Sequence, residues 1–268
     1  MKRCHRMPST LLMLIIACCV FSSCVAGRQS PAPPATAIDW EDRTPRDVLA
    51  ALRAEQEKIT SLTAAFSLSV DPPPKGRPSH MQGVMFFSTA GANPRVRIQC
   101  LGFLGRILFD MVLKDGAVEL YVPSRRTMFT GRADRAGAGN AWQDVMSAML
   151  FDISEASLPE DVPLSFEKDM VLLRLKNGEL RLDRANGLIR QWRQAETITS
   201  YDRYTAHTPG LPPLPEHIEI QAVDGSRRAV FMLSQPNLNK VPDDVFDLSD
   251  YTPEAVRDFS ELEKQVTE

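Results

Sequence analysis

The chain has 268 residues, 43% of them hydrophobic, with 31 basic residues against 34 acidic ones. That length supports a sizeable core, and a mildly acidic balance gives no electrostatic footprint for nucleic acid or for anionic lipid head groups. Of the five cysteines, Cys4, Cys18, Cys19 and Cys24 fall in the first two dozen residues and Cys100 is the one that remains, which excludes a paired-cysteine framework and a thiolate zinc site.

Lys2, Arg3 and Arg6 precede an uncharged apolar run from Leu11 to Phe21, closed by Ser22-Ser23-Cys24. A run of about eleven residues falls well short of the roughly twenty that cross a bilayer. With its basic flank and small-residue exit it reads as the apolar core of a secretory signal. A cysteine straight after two small residues resembles a lipobox, so residues 1–23 are expected to be a lipoprotein signal peptide. Cys24 would carry a covalent diacylglycerol and acyl modification; no other cofactor and no metal are expected. Phe21 departs from the usual aliphatic residue three before the cysteine, so an uncleaved anchor and a plain signal peptide stand as the other readings. Ile15-Ile16-Ala17-Cys18 also fits the pattern but leaves too short a core. Without Lys2, Arg3 and Arg6 the net charge becomes minus six, so membrane attachment must come from the acyl chains, two or more of which hold well.

Residues 24–43 hold Pro31, Pro33 and Pro34 among small polar residues and read as a lipid-anchored, semi-rigid tether. A single domain is expected over 44–251, followed by a polar tail, 252–268. The domain opens on a helix: Thr44 suits the N-cap, Pro45 the first helical position and Asp47 the first turn. Val48, Leu49, Leu52, Ile59 and Leu62 recur at helical spacing, against Arg53, Glu55, Glu57 and Lys58 on the other side.

From Leu62 the period shifts to two. Ala64, Phe66 and Leu68 lead into the turn Asp71-Pro72-Pro73-Pro74-Lys75-Gly76, and the chain returns through Met81 to Phe87. Cys100 alternates within Arg95 to Cys100 and reads as a buried strand position. Lys114-Asp115-Gly116, Lys176-Asn177-Gly178, Ala185-Asn186-Gly187 and Val223-Asp224-Gly225 are hairpin signals between β-rich runs. His217 to Val223 pairs naturally with Ala229 to Leu233. The count is about nine to eleven strands in an antiparallel meander. One segment interrupts it: a Gly- and Ala-rich stretch, 133–140, then a run placing Trp142, Val145, Met146, Met149 and Leu150 on one helical face. This stripe is either ordinary core or, being methionine-rich and hung from a flexible loop, an adaptable ligand surface.

Catalytic patterns are weak. His80, His207 and His217 are far apart, and Pro215 with the alternation around His217 argues against a zinc helix there. No nucleophile elbow, phosphate loop or dinucleotide fingerprint occurs. The chain is not expected to be an enzyme.

The helix ending in Ile59-Thr60-Ser61-Leu62-Thr63-Ala64-Ala65-Phe66, followed by a meander with a helical insertion, resembles the LolA/LolB group of lipoprotein carriers. Gln82-Gly83-Val84-Met85-Phe86-Phe87, Leu214-Pro215-Glu216-His217-Ile218 and Asn239-Lys240-Val241-Pro242-Asp243-Asp244-Val245-Phe246 match the second strand, the penultimate hairpin entrance and the closing segment, in order. The resemblance implies an incomplete antiparallel β-barrel covered by amphipathic helices and enclosing a cavity for the acyl chains of lipoproteins or of phospholipid. The Trp142–Leu150 face would then be a lid. The lipobox places the chain on the LolB side, an outer-membrane lipoprotein facing the periplasm that receives cargo from a soluble LolA-type carrier. So does Ser88-Thr89-Ala90-Gly91-Ala92-Asn93-Pro94, which lacks the basic residue that latches the lid in LolA-type carriers; the latch is not transferred to Arg95 or Arg97. Val25 and Ala26 lack the aspartate that retains such proteins in the inner membrane. LolB-type receptors carry a protruding apolar loop, and Leu101-Gly102-Phe103-Leu104-Gly105 is the matching candidate. Phe103 and Leu104 would be a membrane-contacting tip; a buried, glycine-kinked barrel corner is the other reading. The alternative function is a non-enzymatic sensor or structural lipoprotein of the same fold that binds a protein partner.

Overall fold

The structure, a computed structural model, describes residues 38–71, 79–89, 94–132, 158–159 and 163–261. One helix, α1 (Pro45–Glu57), precedes the strands β1 (Ser61–Asp71), β2 (Ser79–Ser88), β3 (Arg95–Leu101), β4 (Ile107–Lys114), β5 (Ala117–Val122) and β6 (Thr127–Arg132). Then come β7 (Ser165–Glu167), β8 (Met170–Leu175), β9 (Gly178–Asp183), β10 (Ile189–Gln194), β11 (Thr197–Thr205), β12 (Leu214–Ala222), β13 (Arg228–Leu238) and β14 (Ala255–Asp258). All join one 14-stranded sheet, in the order β14-β6-β5-β4-β3-β2-β1-β13-β12-β11-β10-β9-β8-β7. The sheet is open: β14 and β7 are its edges. The expectation of nine to eleven strands was too low. It missed short strands such as β7, a three-residue pairing too brief to show a period, and β14, which the sequence placed in a polar tail.

The helix begins as its sequence dictates. The Thr44 hydroxyl accepts the Asp47 amide, and the Asp47 carboxylate accepts the Thr44 amide in return, a closed capping box. It ends at Glu57, so Ile59 and Leu62 belong to the connection and to β1. Val48 and Leu49 are buried.

Alternation then divides the sheet into two faces. Leu62, Ala64, Phe66 and Leu68 on β1 point to one side, with Met85, Ile98, Phe129, Leu173, Leu180, Ile218 and Phe231 from the other strands, and α1 packs against them. The opposite parity supplies a second cluster, in which Val112, Tyr121 and Met128 are covered by Phe246 and Leu248.

That second cluster is closed by a strap, residues 239–251, which crosses the outer face of β3 to β6. Asp110 is fully buried beneath it. Its carboxylate accepts from Arg97 Nε at 2.9 Å and Nη2 at 2.6 Å, from Gln99 Nε2 at 2.7 Å and from the Tyr251 hydroxyl at 2.8 Å. Arg97 also donates to the Val245 carbonyl at 2.6 Å. Tyr121 stacks on Tyr251 with ring centroids 4.2 Å apart. Arg95 lies 4.9 Å over the Phe246 ring and pairs with Asp243. Where the strap leaves β13, Asn239 takes a left-handed φ of 56°. Its Oδ1 accepts the Thr60 and Ser61 amides at 2.8 and 3.1 Å, and its Nδ2 donates to the Lys58 carbonyl at 2.8 Å. The end of α1, the start of β1 and the strap are thereby tied at one point.

Tyr251 gives the clasp a signature at high pH. Burial, reinforced by the bond to Asp110, pushes its hydroxyl up to about 12. A raised folded pKa favours the protonated form, so this contribution is complete below the ordinary value near 10 and is lost as pH rises through 12. Burial also raises Tyr201 and Tyr204, so Tyr251→Phe is expected to lessen, not abolish, the fall in melting temperature between pH 10 and 12. An identical slope in the variant would contradict the bond.

The domain is longer at both ends than the sequence implied. Trp40, placed in the tether, is buried and donates Nε1 to the Arg184 carbonyl at 2.7 Å. Beyond residue 251, β14 pairs parallel with β6, and Phe259 is buried over Gly131, where a Cβ would come within 2.8 Å of the Phe259 Cβ. Polar composition hid both segments, since the first contributes only Ile38 and Trp40 to the core and the second mainly Phe259. Contacts group Ala35–Glu268 as one compact unit.

Candidate functional site

Registers place the hairpin turns at two ends of the sheet. Ser61 lies opposite Ser88, Arg95 opposite Ser88, and Leu62 opposite Leu238. The β9–β10 turn, which holds Trp40, is at this same end, because Thr205 of β11 meets Leu214 there. It is the helix end: α1 runs from the β9–β10 turn to the start of β1. The opposite end holds Asp71 against Arg228, Leu101 against Gln82, and Thr197 against Ala222.

The β3–β4 connection turns at that opposite end, four residues short of the end of β1, because Leu101 pairs with Gln82 and Gln82 with Ser67. Phe103 and Leu104 are 85% and 82% exposed, and Leu108 at the start of β4 is 51% exposed. They sit on a tight turn: the Gly102 amide donates to the Arg106 carbonyl at 2.8 Å and the Gly105 amide to the Gly102 carbonyl at 3.2 Å. Leu104 adopts φ 58°, left-handed backbone that costs a non-glycine residue roughly 1–2 kcal/mol. Gly102 matters because Leu108 lies directly on it; a Cβ there would approach Leu108 Cδ2 to 2.8 Å. The turn therefore holds three apolar side chains together in solvent, at a conformational cost. The pair named from sequence lies outside the core, and no corner of the sheet buries it. Leu108 was not singled out from the sequence, because it lies beyond the apolar pair flanked by Gly102 and Gly105.

The face that packs against α1 is apolar on alternate positions, with Trp192, Tyr201, Ile218 and Leu182 on one half and Phe66, Met85, Ile98 and Leu120 on the other. Among the described residues, buried polar groups on this face include Thr199 and Tyr201 on β11, Thr127 on β6, and Trp192 on β10, whose indole N–H finds no hydrogen-bond partner among them. A pocket of about 200 Å³ between Ile38, Trp40 and Arg184 at the helix end is below the range of roughly 300–1,000 Å³ usual for ligand sites. Trp142, Val145, Met146, Met149 and Leu150, and also Cys24, lie outside the described residues.

His80, His207, His217 and Cys100, all among the described residues, lie apart from one another. His80 Nδ1 is 3.1 Å from the Ser69 hydroxyl, and His217 faces outward opposite Asp202 and Met232. His207 is 3.8 Å from Glu216, and burial lowers its pKa against that carboxylate's pull. Cys100 is buried, and burial raises its thiol pKa, the opposite of an activated nucleophile. Among the described residues no group of three or more His, Cys, Asp or Glu is placed to hold a metal, and no helix is long and apolar enough to cross a membrane.

A scan against protein-family models gives no match, and a search of curated proteins gives none. Solved structures do resemble the chain. A DUF1329 family protein from Desulfovibrio piger superimposes with TM-score 0.56 at 11% identity, covering 78% of this chain and 98% of its own. A LolA superfamily protein from Nitrosomonas europaea gives 0.52 at 13% identity, covering 78% and 100%. A domain described as an outer membrane lipoprotein-sorting protein, from Vibrio parahaemolyticus, gives 0.54 at 9% identity, covering 76% and 97%. At these identities the likeness is one of fold: mainly β, one large open sheet of LolA type.

Proposed function

We propose that this chain is a lipid-anchored, non-enzymatic envelope protein that binds acyl chains of lipoproteins or lipids on the apolar face of its sheet and delivers them to the outer membrane. The observation that carries the reading is the Phe103–Leu104 turn, where strained backbone keeps two large apolar side chains exposed. Solvent exposure of such a pair is unfavourable unless a partner covers it, and burial in a bilayer returns roughly 1.5–3 kcal/mol per side chain. The apolar face of the sheet supports acyl binding, at roughly 0.8 kcal/mol per buried methylene. The fold it shares with a LolA superfamily protein and a lipoprotein-sorting domain agrees with that cargo. Binding exchanges contacts among the face, α1 and the proposed Trp142–Leu150 lid for contacts with the ligand. A soluble LolA-type carrier is the proposed donor.

The test separates uptake from delivery. The double change Phe103→Glu, Leu104→Glu is expected to leave uptake of a fluorescent acyl probe intact while slowing its transfer into liposomes at least tenfold. The fold should be unaffected, since neither side chain packs in the core. Equal transfer rates for variant and parent would remove the tip from the mechanism.

Anchoring is checked independently at Cys24. Cys24→Ser is expected to release the protein from membranes into the periplasm; a variant that stays membrane-bound and keeps its full leader would overturn the lipobox assignment. Persistence of lipid-labelled protein in the membrane fraction would rule out that cysteine.

A further inference from the structure

One buried donor on the apolar face of the sheet has no acceptor. The Trp192 side chain is only 7% exposed, and its indole Nε1 makes no hydrogen bond among the described residues. An unpaired donor in apolar surroundings costs free energy that folding ordinarily avoids. Arg95 and His207 also bury a nitrogen without a hydrogen bond, but Arg95 pairs with Asp243 and His207 lies 3.8 Å from Glu216. The neutral indole has no such compensation.

The registers define its neighbours. Leu173 lies opposite Leu180, Leu180 opposite Trp192, and Trp192 opposite Thr199. The row continues from Thr199 through Ile220 and Ala229 to Val70. Thr199, itself buried, is the one polar member beside the indole. No charged residue belongs to this row; Glu216, with His207 near it, stands four residues or about 13 Å along β12 from Ile220. Away from Trp192 the row opens, since Ile220, Ala229 and Val70 are only partly buried. Val70 is four strands from Trp192 in the sheet order, roughly 19 Å along the sheet, a span that an extended acyl chain covers.

We propose that Trp192 is the polar recognition point of the acyl-binding face, its indole N–H donating to the ester carbonyl of a ligand whose chain lies along Ile220, Ala229 and Val70. This rests on the acyl-binding reading above and deepens it by naming the ligand class, an esterified acyl group rather than a free fatty acid. An indole nitrogen donates and cannot accept, so its partner must be an acceptor. An ordered water needs roughly two to four polar partners, and the row supplies Thr199 alone. A carboxylate would accept too, but buried in a row without a cation it costs far more than one N–H returns. A neutral carbonyl satisfies the indole without that penalty.

The experiment uses the full chain carrying Cys24→Ser, purified without detergent so that no acyl anchor or micelle competes. Three ligands are titrated against the fluorescent acyl probe: monopalmitoylglycerol, its hexadecyl ether, which has a methylene in place of the carbonyl, and palmitate at neutral pH. The ester is expected to bind about tenfold more tightly than either of the others, the contribution of one neutral hydrogen bond. Trp192→Phe is expected to bring ester and ether to equal affinity. In a proton–nitrogen NMR spectrum the Trp192 indole resonance, identified by its absence from Trp192→Phe or by through-bond assignment should that variant not fold, is expected to move downfield with the ester and not with the ether. Equal affinities in the parent, or an unmoved resonance at saturating ester, overturn the inference and leave acyl binding standing. Palmitate bound as tightly as the ester overturns it too, since the ligand would not be neutral. Displacement by none of the three refutes the acyl-binding reading itself. A diacylglyceryl-cysteine peptide and a phosphatidylethanolamine of the same chains then identify the source of the ester, by which of them moves the resonance; movement by neither overturns the inference.

Discussion

Asp110→Ala is expected to destabilise the fold by about 3–5 kcal/mol, measured by chemical denaturation, the range for removing one partner of a buried ion pair. The carboxylate is fully buried and serves four donated hydrogen bonds from three residues. Without it the Arg97 guanidinium, only 14% exposed, keeps its charge beneath the strap with no counter-ion. Asp110→Asn should also be costly, because the amide turns a donor towards the guanidinium. Tyr251→Phe, which removes one of the four bonds, should cost about 1 kcal/mol. A loss under about 1 kcal/mol for Asp110→Ala would mean that water or a shifted side chain replaces the carboxylate.

Gly83→Ala is expected to cost about 3 kcal/mol, at the top of the usual range for overpacking. A Cβ at this position would stand 2.1 Å from the Gln99 carbonyl oxygen and 2.9 Å from the Phe66 ring. The ring can turn aside; the carbonyl belongs to the neighbouring strand and cannot. Phe66→Leu should therefore fail to rescue Gly83→Ala, and the melting temperature of the double variant should fall below that of either single one. Recovery in the double variant would show that the ring, and not the backbone, sets the limit.

These two residues mark how far the sequence could be read. Gly83 stood out as part of Gln82-Gly83-Val84-Met85-Phe86-Phe87, but a glycine in a β-period announces a close approach without saying of what. The helix cap at Thr44, the hairpin turns and the buried place of Cys100 were legible because each depends on residues within a few positions. Asp110 was not, since its partners Arg97, Gln99 and Tyr251 come from the neighbouring strand and the strap, and an aspartate flanked by Phe109 and Met111 carries no local sign of them. Arg95 and Arg97 had been considered as latch residues and set aside; their partners are in the strap, Asp243 and the Val245 carbonyl, and at Asp110. Phe103 and Leu104 were visible as an apolar pair between Gly102 and Gly105, and the left-handed backbone at Leu104 was not. The apolar face packed against α1 was legible only as parity, because alternation tells which side a residue faces and not what covers it.

The strand order also governs when the chain can become a protein. Nearly every pairing in the sheet joins consecutive strands, so β1 to β6 and β7 to β13 can each zip up as they emerge. The seam between β1 and β13 is different. It joins the first strand to the last antiparallel one, and the Asn239 side chain fastens it to Thr60 across 179 residues of sequence. Until that asparagine has been delivered, β1 exposes a long, apolar, unpaired edge, the kind of surface that recruits another chain's strand. Such distant pairings are the slow ones to close. The central strand of the finished sheet is thus, for most of the molecule's assembly, its most vulnerable margin.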